Sequence, residues 1–188
     1  MPETPYRTSP FSLRPGDDFQ LSRAGLEITE SGFLGRVQLC GSGERFRASV
    51  CELLGVPSLP PPLRSATSRG QTLLGLGPDE WMVLVSPDQP RQLLPRLSAG
   101  LRDVDGLAVD VSSAFATLRV SGPGSAALLR KGCSVPLEHI ASGDCLRTRV
   151  GRYHVLIHCT DSGPVLNLHA GRSYARSFRN WIADAASL

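Results

Sequence analysis

The strongest constraint on the fold of this 188-residue chain is an internal duplication. Val37-Gln38-Leu39-Cys40-Gly41-Ser42-Gly43 leads through a helix-like run to Val56-Pro57, and Leu118-Arg119-Val120-Ser121-Gly122-Pro123-Gly124 leads through another to Val135-Pro136. Each copy continues with a strand-like run, a single glycine (Gly77 or Gly151), a second strand-like run and a long amphipathic segment. A solenoid needs three or more short repeats, so two copies of a unit this long must pack into one pseudo-symmetric body.

The local patterns divide the chain into an extended N-terminal arm (1–17), a first α+β unit (18–105) and a second (106–188), which form one compact body. The arm carries Pro2, Pro5, Pro10 and Pro15, and its expected states are disorder or a strap laid over a partner. Short β-like runs lie near Leu26–Thr29 and Leu34–Cys40. A helix opens at Glu44 with Phe46, Val50, Leu53 and Leu54 on one face. Pro57, Pro60, Pro61 and Pro62 make the stretch from Val56 to about Gly70 a surface loop.

Thr72–Leu76 and Glu80–Ser86 read as a hairpin turning at Pro78-Asp79. Both faces of its second strand are apolar, which predicts a central strand covered on both sides. Asp88 is the expected N-cap of the next helix, which Pro95 should kink or divide. In the second unit Leu107–Ser112 and Phe115–Ser121 are strand-like, a helix spans Ser125–Lys131, and three more β-like runs follow at Leu146–Val150, Tyr153–Cys159 and Val165–His169. The closing helix, Arg172 to about Ala186, sets Tyr174, Phe178, Trp181, Ile182 and Ala185 against Arg172, Arg176 and Arg179. The expected class is therefore α+β, with two pseudo-repeated ferredoxin-like ββαββα units and antiparallel sheets.

Composition excludes several function classes. Hydrophobic content of 41% and charged content of 20% suit a globular chain, and no apolar run reaches the roughly 20 residues of a spanning helix. The N-terminal residues lack the layout of a signal peptide, which makes the cytoplasm the expected location. A formal net charge of +3 is too small to argue for nucleic acid, and the paired aromatics that stack RNA bases on adjacent strands are missing. Lys131 is the sole lysine, so arginine supplies the remaining basic side chains, a bias that reflects either codon usage or the forked bonds arginine makes at protein interfaces.

Candidate chemistry is sparse. Cys40, Cys51, Cys133, Cys145 and Cys159 form no Cys-x-x-Cys pair. The Gly41-Ser42-Gly43 and Gly122-Pro123-Gly124 turns stand where phosphate could sit, but neither extends to Gly-x-Gly-x-x-Gly. They read as tight strand-to-helix turns. His154 and His158 share a strand face about 13 Å apart, too far for one metal, and take a surface or interface role. A thiolate at Cys133 is opposed by the helix C-terminus before it, and the Ser112-Ser113 pair has no visible base. The Arg172/Arg176/Arg179 ridge is either a solvated helix face or a docking surface for an acidic partner. Catalytic, cofactor and metal residues are thus expected to be none, and Arg172, Arg176, Arg179, His154 and His158 are the interface candidates.

Asp110-Val111-Ser112, Leu118-Arg119-Val120-Ser121-Gly122-Pro123 and Leu129-Arg130-Lys131-Gly132-Cys133 resemble the recurring core of the folate-binding aminomethyltransferase superfamily. Within it, Leu76-Gly77-Pro78-Asp79-Glu80-Trp81, Lys131-Gly132-Cys133-Ser134-Val135-Pro136-Leu137, Arg147-Thr148, Arg172-Ser173-Tyr174-Ala175 and Trp181 resemble the gamma subunits of heterotetrameric sarcosine oxidases. The likeness is good over roughly residues 70 to 188 and elsewhere is mainly one of length and layout. Related iron–sulfur maintenance proteins follow Lys-Gly-Cys with Tyr/Phe-x-Gly-Gln-Glu, whereas Ser134-Val135-Pro136-Leu137 stands here, which counts against that role.

The resemblance implies an aminomethyltransferase-like folate-binding fold and a non-catalytic subunit serving assembly and stability. Its complex would demethylate sarcosine oxidatively to glycine and pass the one-carbon unit to tetrahydrofolate. The implied partners are alpha, beta and delta subunits, which would carry FAD, FMN, NAD, tetrahydrofolate and zinc, with no cofactor in this chain and no nucleic-acid or membrane partner. The alternatives are a stand-alone folate-binding one-carbon protein and the equivalent subunit of another N-methyl amine oxidase or dehydrogenase.

Overall fold

The computed structural model describes residues 9–12, 18–160 and 165–187. The first half holds β1 (Gln20–Arg23), β2 (Leu26–Glu30), β3 (Gly35–Gly41), α1 (Gly43–Leu54), β4 (Ser65–Ser68), β5 (Gln71–Gly77), β6 (Glu80–Val85) and α2 (Pro90–Gly100). The second holds β7 (Gly106–Asp110), β8 (Phe115–Ser121), α3 (Ser125–Arg130), β9 (Cys145–Val150), β10 (Tyr153–Cys159), β11 (Leu166–Gly171) and α4 (Ala175–Ser187).

Two antiparallel sheets result, ordered β4-β5-β6-β3-β7 and β1-β2-β8-β11-β10-β9. The expected α+β class with antiparallel sheets is what the chain adopts. The two copies also trade strands. β2, which precedes the first copy's β3, pairs with the second copy's β8, while β7, which precedes β8, pairs with β3. The hairpin β1–β2 from residues 18–105 and strand β7 from residues 106–188 therefore each complete the other copy's sheet. This exchange ties the halves through backbone hydrogen bonds.

The sheet orders equate β4-β5-β6-β3 with β9-β10-β11-β8. Gly151, in the β9–β10 turn, thus corresponds to the Arg69-Gly70 turn between β4 and β5, and not to Gly77. The sequence pairing slipped by one strand because Ser65–Ser68, expected to lie in a loop, forms the edge strand β4. Its residues are small and none is buried, and they leave no hydrophobic alternation to find.

Burial divides the apolar side chains into three clusters. Val37, Leu39, Trp81, Val83 and Val85 meet α1 and α2 through Phe46, Val50 and Leu97. Ile28, Leu118, Val155, Ile157 and Leu168 meet α3 and α4 through Leu129, Phe178 and Ile182. Leu74, Met82, Leu84, Cys145 and Leu156 fill the seam between the sheets. The layers are therefore helices, sheet, sheet, helices, and β6 is covered on both faces as its sequence predicts.

Three local expectations change. Pro95 sits inside α2 without dividing it. The proline is exposed, so water can satisfy the carbonyl freed one turn earlier. The cap residue of α2 is Gln89 rather than Asp88, and its side-chain oxygen accepts from the Ser86 N–H at 3.0 Å. The arm residues 9–12 pack on the chain's own body. Phe11 is fully buried in the α4-side core, and Ser9 Oγ donates to Glu30 at 2.5 Å. The rest of the expected arm, residues 1–8 and 13–17, lies outside the described residues.

The proline-rich loop is held down on β5 and β6. Trp81 Nε1–H donates to the Pro60 carbonyl at 2.9 Å, and Gly75, which pairs with Trp81, would place a Cβ 2.2 Å from the Pro61 oxygen. That overlap is with backbone, which cannot swing aside. Gly75→Ala is expected to cost about 2–3 kcal/mol, the upper part of the range for overpacking a tight site, read as a lower urea midpoint at unchanged slope.

Candidate functional site

A line of polar side chains crosses the apolar seam. In β3, Val37 and Leu39 point to the helices, which turns Arg36 to the opposite side. Arg36 is only 2% exposed. It donates through Nη1 to the Leu34 and Ser112 carbonyls at 3.2 and 3.4 Å, and through Nη2 to Thr117 Oγ1 at 2.6 Å. Thr117 on β8 stands opposite His169 on β11, with 2.8 Å between Thr117 Oγ1 and His169 Nδ1. The His169 ring stacks on His158 of β10 at 6.5 Å, and His158 Nε2 meets Ser65 Oγ of β4 at 3.1 Å. The line thus begins in one sheet, crosses the other and ends in the first.

Thr117 Oγ1 accepts from the guanidinium and shares a second hydrogen bond with His169 Nδ1. Ser65 Oγ donates to the Gly143 carbonyl at 3.0 Å and accepts from His158 Nε2–H. His169 Nε2 and His158 Nδ1 remain buried without a partner.

Burial sets the charges. It lowers Arg36 to about 10, so the guanidinium stays a cation near neutral pH, and no carboxylate among the described residues pairs with it. His158 is pushed down to about 4 by burial. His169 is held well below the ordinary histidine range by burial first, then by the positive charge of Arg36 and, once His158 is protonated, by that ring. Both histidines are therefore neutral at pH 7.

Two cavities flank this line. One of about 160 Å³ is lined by Arg36, Thr117 and Glu30, with Phe115 on its wall. The other, about 520 Å³, is lined by His169, Arg147, Arg149, His154, Phe115 and Tyr174 among others. Arg36, Thr117 and His169 are not among the residues singled out from sequence. The available signal is a polar side chain at an inward position of an otherwise apolar strand, as in Ala116-Thr117-Leu118 and Leu168-His169-Ala170.

The candidates named from sequence are scattered. Arg172 and Arg176 are exposed, Arg172 in a 3₁₀ turn ahead of α4. Arg179 is half-buried. Its guanidinium lies 4.8 Å over the Phe19 ring and donates to the Phe11 carbonyl at 3.5 Å, so it clamps the chain's own N-terminal segment. His154 is exposed at the larger cavity. His158, placed by its sequence on a surface, is 5% exposed in the seam, because its strand face is covered by the other sheet.

The remaining nucleophiles and turns are occupied structurally. Cys133 is buried in the α4-side core, while Lys131 Nζ donates to the Ala185 carbonyl at 2.6 Å at the negative end of α4. Ser112 Oγ accepts from the Arg36 N–H at 2.9 Å and donates to Asp110 at 2.5 Å. In the glycine turns the amides of Gly41, Ser42 and Gly124 donate to the Asp79, Asp105 and Gly25 carbonyls. A Cβ at Gly41 would lie 2.4 Å from the Phe46 ring, and one at Gly122 2.4 Å from the Gly25 oxygen. The space a phosphate would need is filled by the chain itself. Among the described residues no group of three or more His, Cys, Asp or Glu could hold a metal, and no helix is long and apolar enough to cross a membrane.

Comparisons with known proteins agree with this architecture. The sarcosine oxidase, gamma subunit family matches over residues 41–188. The sarcosine oxidase gamma subunit of Corynebacterium sp. strain P-1 is 30% identical over 120 residues, 63% of this chain and 58% of that one. Its counterpart in strain U-96 is 29% identical over 120 residues, 63% and 57% of the two chains. The matched stretch thus spans somewhat over half the length of these relatives. A chain of the heterotetrameric sarcosine oxidase from Corynebacterium sp. U-96 superposes with a TM-score of 0.78 at 25% identity, covering 86% of this chain and 84% of that one. The glycine cleavage system aminomethyltransferase T of Bartonella henselae, at 13% identity and TM-score 0.61, covering 85% of this chain and 46% of that one, shares the fold alone. The match over residues 41–188 takes in the whole of the second unit and most of the first, and by it the chain belongs to the sarcosine oxidase gamma subunit family.

Proposed function

We propose that this chain is the non-catalytic gamma subunit of a heterotetrameric sarcosine oxidase-type complex, in which it serves the assembly and stability of the flavin-bearing subunits. The observation that carries the proposal is the likeness over 86% of the chain to a chain of such a heterotetramer. The engagement of Cys133, Ser112 and the glycine-turn amides in packing and hydrogen bonds supports a non-catalytic role. The complex acts in the cytoplasm, converting sarcosine to glycine with transfer of the one-carbon unit to tetrahydrofolate. FAD, FMN, NAD, tetrahydrofolate and zinc reside in the alpha, beta and delta partners. Residues 18–105 and 106–188 are the two ancestral units, joined by their exchanged strands.

Arg172, Arg176 and His154, all exposed, form the part of the interface set that can face a partner. Coexpression with the catalytic subunits and purification through a tag on this chain tests the proposal. A flavin-coloured complex is expected, and recovery of the colourless chain alone contradicts it. The isolated chain is expected to lack oxidase activity. Saturable micromolar binding of tetrahydrofolate by the lone chain would instead favour a stand-alone folate-binding protein.

Charge reversal at the surface separates docking from folding. Arg172→Glu with Arg176→Glu is expected to weaken association with the catalytic subunits by about tenfold or more. The thermal stability of the isolated chain should change by no more than about 0.5 kcal/mol, as for other exposed charges. Unchanged association, measured by titration of the variant against the partners, removes these arginines from the interface.

A further inference from the structure

We propose, resting on the assembly role above, that the free edge of β7 is completed by an extended segment of one of the flavin-bearing subunits, a strand with apolar side chains at alternate positions and basic residues at its ends.

Four strands end the two sheets: β4, β7, β1 and β9. An unpaired strand edge invites another chain, and proteins blunt it with charge, proline or a cover. β4 and β9 close on each other, since the Ser65 N–H donates to the Gly143 carbonyl at 2.6 Å and the Cys145 N–H to the Leu63 carbonyl at 2.9 Å. β1 is four residues long and ends in Arg23. β7 carries neither charge nor proline along Gly106-Leu107-Ala108-Val109. The bonds at its two ends fix which groups face out: the Ser42 N–H donates to the Asp105 carbonyl, and the Val111 N–H to the Arg36 carbonyl. With Cys40 opposite Leu107 and Gln38 opposite Val109, the backbone of Leu107 and Val109 faces β3, and that of Gly106, Ala108 and Asp110 faces outward. These outward groups make no backbone hydrogen bond among the described residues. Donors and acceptors repeating at every second residue fit an extended backbone.

The side chains give the added strand its character. Leu107 and Val109 are 59% and 41% exposed, and with Leu63 they are the large hydrophobics left exposed among the described residues. They share one face of β7, opposite to Ala108, which packs on the helix-side core. Apolar side chains at alternate positions of a neighbouring strand cover such a pair. Exposed carboxylates stand at both ends of the apolar stretch: Asp103 and Asp105 outnumber Arg102 before it, and Asp110 follows it. None of the three makes an ion pair among the described residues. These charges select against a second copy of the chain. Antiparallel self-pairing centred on Ala108 would bring Asp110 of each copy beside Asp105 of the other, and like charges so placed repel. Basic residues at the ends of a partner strand meet the same carboxylates favourably.

Amide hydrogen exchange, compared between the isolated chain and the complex copurified with the catalytic subunits, reads the added strand. The amides of Gly106, Ala108 and Asp110 are expected to slow by about tenfold or more on assembly, while those of Leu107 and Val109 are already slow in the isolated chain. Ala108→Pro deletes an outward N–H and spares the ladder to β3. It is expected to weaken association by about tenfold or more, whereas Ala108→Ser, which keeps the N–H, binds as the unaltered chain does. Asp105→Lys is expected to weaken association by about threefold or more at low salt. The exchange measurement uses the unaltered chain and stands even where Ala108→Pro disturbs the fold. The proposal is overturned if the outward amides exchange as fast in the complex, if Ala108→Pro and Ala108→Ser bind alike, or if Asp105→Lys leaves the affinity unchanged. A dimer of the isolated chain with these amides protected also overturns it and gives the edge to a second copy. Failure of the unaltered chain to copurify with flavin-bearing subunits overturns the assembly role itself, and this surface with it.

Discussion

Thr117→Val is expected to lower the unfolding free energy by about 2–4 kcal/mol, although it preserves the shape of the side chain and adds no polar atom. The hydroxyl is the joint of the seam's polar line: it accepts from Arg36 at 2.6 Å and meets His169 Nδ1 at 2.8 Å. Its removal leaves a buried guanidinium N–H without an acceptor and a buried imidazole nitrogen without a partner. Arg36→Met, which removes the charge together with its need for partners, is expected to change stability by only about 1 kcal/mol, because a buried ion carries its own desolvation cost. The double variant should resemble Arg36→Met more closely than the sum of the two single changes, a coupling of about 1–2 kcal/mol between groups in one network. Urea unfolding of the four proteins measures this cycle. A loss below about 0.5 kcal/mol for Thr117→Val would show that the line contributes nothing to the fold.

Acid is expected to destabilise the chain well before its carboxylates titrate. His158 is lowered to about 4 and His169 is held well below its ordinary value, chiefly by burial. A base whose folded pKa lies below its unfolded value binds more protons when unfolded, so stability rises with pH across the interval between the two values. The contribution is complete above about pH 6.5, and it is lost as pH falls from there toward the folded values.

The structural reason is specific. A second proton on His158 would go to Nδ1, which has no partner, and one on His169 would lie fully buried beside the Arg36 cation. From about pH 7 to about pH 5 the loss is on the order of 2 kcal/mol for His158, and His169 adds to it in the same direction. His158→Asn is expected to flatten the decline by roughly half, seen as a smaller drop in thermal midpoint between those two conditions. A midpoint independent of pH across this interval would mean that both rings titrate normally and lie open to water.

The duplicated strand–turn–helix was legible because its signals are local. Val37–Gly43 and Leu118–Gly124 end in glycine turns, where a Cβ at Gly41 would strike Phe46 and one at Gly122 the Gly25 backbone, and both do enter helices. The two-sided apolar pattern of Trp81–Val85 likewise announced a covered central strand. The strand exchange was not legible, because antiparallel pairing of β2 with β8 or of β7 with β3 depends on contacts some 90 or 70 positions apart, and hydrophobic alternation names no partner.

The seam was hidden for the same reason. Arg36, Thr117 and His169 come from three strands of ordinary composition, and only the stacking of one sheet on the other turns them into a buried line. His158 shows the limit from the other side: its strand face was correctly read, but the cover over that face comes from β4 and its neighbours. Arg179 was assigned with Arg172 and Arg176 by helical spacing alone, whereas Phe11 and Phe19 return from the other end of the chain to meet it.

The central claim is that this chain contributes assembly and stability rather than chemistry, and omission tests it most directly. The flavin-bearing subunits are to be produced with and without this chain, and the yield and thermal midpoint of the flavin-loaded complex compared. The account predicts that omission leaves those subunits unassembled or markedly less stable, and that adding the separately purified chain restores the complex. A flavin-loaded complex that forms in equal yield and melts at the same temperature without this chain would contradict it.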